Sequence, residues 1–109
     1  MIFKIRGKKL KIKVCKSYLS KVFGLMFSTM KNLDGALLCF DKEDKYAIHM
    51  FFVFQHLDIV WLDSKKRVVD VQRAVPFAFK IYKPRKAAKY ILELKKDILN
   101  LKIGEQIRF

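Results

Sequence analysis

The chain has 109 residues, 52% hydrophobic and 31% charged, with 24 Lys plus Arg against 10 Asp plus Glu for a formal net charge of +14. That length suits one compact domain over residues 1–109, and the apolar content argues against disorder. The longest apolar stretch, Ile48 to Phe54, contains His49 and falls far short of the roughly 20 residues a membrane-spanning helix needs. The positive field favours polyanions and solvated lysine faces.

In chain order, Met1-Ile2-Phe3-Lys4 leads directly into alternating Lys and apolar residues without the apolar core of a signal peptide, so a cytoplasmic location is expected. Phe3 to Val14 alternates apolar and basic residues around Gly7, which predicts a β-hairpin with one buried face and one lysine face. Ser17 is placed to cap a short helix through about Phe23, and Gly24 to end it. After the polar Lys31 to Gly35 turn come three apolar runs, Ala36 to Phe40, Tyr46 to Phe54 and Leu57 to Leu62, each of strand length. Arg67 to Arg73 reads as a further strand. Pro76 and Pro84 bracket a loop or edge strand, Lys89 to Leu94 resumes as a strand, and Lys95 to Leu101 carries Ile98 and Leu101 at helical spacing. Glu105 to Phe109 closes the chain as a strand. The expected fold is therefore mostly β, a compact antiparallel sandwich or barrel-like domain with one or two short helices.

Cys15 and Cys39 sit in apolar runs without metal-ligand spacing, so both read as buried structural thiols, and neither a metal nor a cofactor is expected. His49 and Asp58 are polar residues within the two most apolar runs, where burial marks a possible site. If Gln55-His56 is a two-residue hairpin turn, Val53 pairs with Asp58 and His49 with Leu62. The two groups then share a face but stand roughly 13 Å apart, too far for a hydrogen-bonded dyad. That hairpin is apolar on both faces, and the one carrying His49, Phe51 and Val53 needs cover from the chain, a ligand or a second copy in a homodimer.

The segment from Arg73 to Lys89 holds the cations Arg73, Lys80, Lys83, Arg85, Lys86 and Lys89, no carboxylate, and the aromatics Phe77, Phe79 and Tyr82. Cations beside rings suit single-stranded nucleic acid or an anionic small molecule, and equally a solvated basic loop. No nucleotide, metalloprotease or serine-hydrolase motif occurs, so enzymatic function has no motif behind it.

The order of residues resembles the family called Domain of Unknown Function 192, also uncharacterised protein family 0127. The resemblance runs through Phe23-Gly24-Leu25-Met26-Phe27, Gly35 to Phe40, Ile48-His49-Met50-Phe51-Phe52-Val53, Leu57-Asp58-Ile59-Val60-Trp61-Leu62-Asp63 and Ala88 to Leu94. It implies a compact β fold without an assigned activity, with Gly24, Leu25, Met26, Met50, Asp58 and Asp63 as recurrent positions. Where many bacterial relatives carry Phe-Trp-Met-Lys-Asn-Thr, this chain reads Ile-His-Met-Phe-Phe-Val, as the archaeal branch does. The resemblance leaves function open, and the residues themselves set three functions in order. First is a non-enzymatic binding module using the apolar face around His49 with the basic loop at its rim, second a nucleic-acid-binding protein using that loop, and third an enzyme using His49 and Asp58.

Overall fold

The computed structural model describes residues 1–17, 32–49, 55–76 and 81–109. Strands β1 (Ile2–Ile5) and β2 (Lys8–Cys15) form the expected hairpin. Arg6 and Gly7 both take positive φ between them (54° and 78°), the backbone that lets a two-residue turn follow the strand twist. Next come β3 (Gly35–Asp44), β4 (Ile48–His49), β5 (Leu57–Leu62), β6 (Val68–Ala74), β7 (Ile81–Tyr82) and β8 (Ala88–Lys95). Six strands form one sheet in the order β1-β2-β3-β8-β5-β6, while β4 and β7 pair as a separate ribbon.

The mostly β expectation holds, with three differences of detail. The sheet is open, with β1 and β6 at its edges, and one pair is parallel: β2 runs alongside β3 with Ile12 opposite Gly35 and Cys15 opposite Leu38. A parallel neighbour needs a long crossover, and residues 16–34 supply it. No helix occurs among the described residues. Lys95 to Leu101, expected as a helix, instead ends β8 and turns at Lys96 and Asp97, where Asp97 adopts a φ of 65° that an α-helix cannot contain. The helical spacing of Ile98 and Leu101 reflects their packing against one apolar cluster. Glu105 to Phe109 contributes one bridge, Arg67 to Gln106, in place of the expected strand. The helix expected after Ser17 lies outside the described residues.

The larger correction concerns β5. Its two edges are occupied by β6 and β8, so it has no room for a hairpin with the preceding run. Ile48 and His49 instead pair with Tyr82 and Ile81. The continuous apolar run of β5 is explained by its position: all six residues are buried, as in a central strand covered on both faces. On one face Leu57, Ile59 and Trp61 pack with Ala36, Leu38 and Ile91, and Ile48 and Tyr82 of the ribbon join them. On the other, Val60 and Leu62 pack with Leu37, Leu92, Leu101 and Ile107. Both faces of β5 are thus covered from within the chain, while Phe51 and Val53, which were to share the second apolar face with His49, lie outside the described residues. Among the described residues, no helix is long and apolar enough to cross a membrane.

Candidate functional site

The residues singled out from the sequence separate into distinct places. Asp58 lies opposite Arg73 on β6 and opposite Leu94 on β8. Because directly opposed residues on neighbouring strands point the same way, Arg73 reaches the carboxylate with both arms of its guanidinium. Nε donates to Oδ1 at 2.7 Å and Nη2 to Oδ2 at 3.1 Å. The Asp97 amide, in the turn after β8, donates to the same Oδ2 at 3.0 Å, and Arg73 Nη2 also reaches Asp97 Oδ1 at 2.6 Å. Asp58 is therefore a buried anchor, 7% exposed, that ties the end of β8 to β6. The turn amide was foreseeable, the arginine not. His49 is placed by its backbone alone, in register with Ile81 and not with Leu62.

Asp58→Ala should lower stability by about 1 to 3 kcal/mol, since it orphans a turn amide while the half-exposed arginine can turn to water. Chemical denaturation checks this, and an unchanged midpoint would contradict the anchor role.

Asp63 ends β5 and shapes the turn into β6. Its Oδ1 accepts from the amides of Lys65 and Arg67, both at 2.9 Å. This is the turn chemistry typical of Asp, and it assigns that position a structural role. Gly24, Leu25, Met26, Met50, Phe51, Val53 and Lys80 lie outside the described residues.

The basic loop after β7 is organised by a carboxylate that sequence reasoning passed over. Asp70 on β6 is 1% exposed, and its Oδ2 accepts from the Arg85 amide and from Gln72 Nε2, each at 3.0 Å. Gln72 Nε2 also donates to the Lys83 carbonyl at 2.6 Å, and Arg85 Nε approaches Asp70 Oδ1 at 3.4 Å. Pro84 is buried between them, while Lys83, Arg85 and Lys86 are exposed. Tyr82 is 4% exposed, and its hydroxyl accepts from the Val75 amide at 3.2 Å. Its ring is thus committed to the core, and the stacking role expected for it in nucleic-acid binding is closed. Beside this loop stand two exposed apolar side chains, Ile81 (54%) and Val75 (45%).

A second overlooked carboxyl is Glu93 on β8. It lies opposite Ala36 on β3 and Ile59 on β5, 5% exposed, and its Oε1 is buried without a hydrogen-bond partner among the described residues. Burial pushes its pKa up to about 7, with the Lys13 charge pulling the other way. The Cys15 thiol is likewise raised by burial, as an inert core thiol should be. The signal for Asp70 and Glu93 was present in each case: one carboxylate within an apolar strand run, Val68-Val69-Asp70-Val71 and Ile91-Leu92-Glu93-Leu94.

The open mixed sheet of six strands is a fold that this chain shares with other proteins. The family model DUF192, described as an uncharacterized ACR, matches residues 1–109, and the chain belongs to that family. A UPF0127 protein of Pyrococcus abyssi is 32% identical over 103 residues, covering 91% of this chain and 86% of that protein. A UPF0127 protein of Thermococcus kodakarensis is 40% identical over 86 residues, and there the match spans 76% of this chain but only about half, 52%, of the relative. Among solved structures, a putative transcription regulator from Sinorhizobium meliloti superposes with a TM-score of 0.83 at 22% identity, covering 93% of this chain and 82% of that one. A protein of unknown function from Novosphingobium aromaticivorans gives 0.84 at 20% identity, covering 93% and 76%. These two likenesses carry the fold alone.

Proposed function

We propose that this protein is a non-enzymatic binding module whose partner is an acidic protein segment bearing apolar side chains, held by the β7 ribbon and the basic loop after it. The observation that carries this reading is the pinning of the loop by buried Asp70. Burying a carboxylate is costly unless its hydrogen bonds are satisfied, and here they are spent on fixing the backbone that carries Lys83, Arg85 and Lys86. A loop so held presents its cations with little ordering left to lose on binding. Ile81 and Val75 beside it add apolar contact, which suits a protein segment better than a phosphate backbone.

Nucleic acid is the competing partner. Its attraction to a +14 chain is expected at low salt and should fade steeply as salt rises. The two are separated by titrating the protein with a peptide of alternating Glu and Leu and with oligothymidylate, both at about 0.2 M salt. The peptide should remain bound, and Lys83→Ala, Arg85→Ala and Lys86→Ala together should weaken it about tenfold, from three exposed charge contacts of several tenths of a kcal/mol each. Ile81→Ser should weaken it further. Retention of the oligonucleotide alone would transfer the function to nucleic-acid binding.

A further inference from the structure

On the face of the sheet that carries Asp58, away from the ribbon, there is a groove of about 370 Å³ that includes neither the Asp58 anchor nor the Lys83, Arg85 and Lys86 cations of the loop pinned by Asp70. Its floor is laid by alternate residues of three adjacent strands, Val14 on β2, Leu37 and Cys39 on β3, and Tyr90 on β8. Period-two alternation puts all four on one side. Leu37 is buried, whereas Val14, Cys39 and Tyr90 are only half covered, which leaves apolar floor accessible. Phe3 and Phe109 form the wall, stacked with ring centroids 5.5 Å apart, and Tyr90 meets Phe109 edge-on at 5.3 Å. Lys66 holds this wall in place, donating to the Phe109 carbonyl at 2.6 Å with its ammonium 4.1 Å from the ring centroid. Lys16 and Lys89 line it together with Met1 and Phe40, and no carboxylate side chain takes part in it.

We propose that this groove is a binding site for a small organic anion with an apolar body, such as an alkyl or aryl carboxylate. The volume lies within the range of small-molecule pockets, and an apolar floor with a few charged groups at the edge is their usual composition. The body lies on Val14, Cys39 and Tyr90 against the aromatic wall, and the anionic end meets Lys16 and Lys89. A cationic ligand would meet two ammonium groups and no carboxylate side chain in the lining, so the site discriminates by charge. This site is separate from the surface assigned to the acidic partner, and either can fail without the other.

The Cys39 thiol in the floor supplies the test. Decanoate at about ten times its Kd should slow alkylation of Cys39 by iodoacetamide about tenfold, since a bound ligand protects in proportion to occupancy. Decyltrimethylammonium, the same chain with the opposite charge, should protect little. Lys16→Glu with Lys89→Glu should abolish the protection by decanoate. Should Cys39 resist the reagent, methyl shifts of Val14 and Leu37 on titration with the same two probes give the same comparison. Equal effects of both amphiphiles, no effect of either, or protection by decanoate that survives the double substitution would overturn the proposal.

Discussion

Glu93→Gln should gain stability relative to the wild-type protein by about 3 kcal/mol between about pH 4 and pH 8. Glu93 is raised from an ordinary 4.5 to about 7 in the folded protein, so the native state holds its proton more tightly than the unfolded chain does. The stabilisation is complete below the unfolded value and is lost as pH rises through the folded one. Glutamine occupies the same volume and carries no such dependence, although its amide meets the same shortage of partners. The quantity to measure is therefore the difference between the two denaturation curves across pH. A difference that stays constant would show that Glu93 ionises in the fold as freely as in water. Among the described residues, Ala36 and Ile59 beside Glu93 offer no charge, the nearby Cys15 is a thiol held neutral by burial, and Lys13 acts from the next strand beyond Ala36.

Gly35→Ala is the other large effect, and its cause is steric. A Cβ at Gly35 would sit 2.1 Å from the backbone carbonyl oxygen of Glu93 and 3.0 Å from Leu94 Cδ2. A side chain could swing away, but a carbonyl in the central β3–β8 ladder cannot move without parting the strands. The expected loss is about 3 kcal/mol, at the upper end of overpacking costs. Equilibrium denaturation reads it directly, and a change within about 0.5 kcal/mol, the range of an inconsequential surface substitution, would contradict the close approach.

What the sequence made legible was the local pattern. Lys9 to Val14 alternates because one side of that part of β2 faces the core and the other carries exposed lysines, and Leu57 to Leu62 is bounded by polar residues at both ends. Which strand lies beside which is a different matter. Gln55-His56 looks like a hairpin connection, yet β5 takes its partners from residues 68–74 and 88–95, and only those distant residues determine that choice. The parallel pairing of β2 with β3 leaves no mark in either strand's own residues. The same division holds for the site. Asp58 stood out as a carboxylate in an apolar run, but Arg73 stands 15 positions along the chain and shares no motif with it. The basic character of residues 73–89 was plain, whereas the burial of Tyr82 and the pinning of Arg85 by Asp70 depend on how β6 and β7 meet in space.

The reading of the protein as a binding module stands or falls on where an acidic segment settles. The direct measurement is a titration of isotopically labelled protein with the alternating Glu and Leu peptide, following every backbone amide by nuclear magnetic resonance at about 0.2 M salt. The expected result is a saturable shift concentrated at Val75 and from Ile81 to Lys86, with Arg85 among the largest because its amide is held by Asp70. Shifts spread over the lysine-rich strands between Ile2 and Lys13, growing without saturation, would show that only net charge attracts the peptide and would contradict a dedicated site.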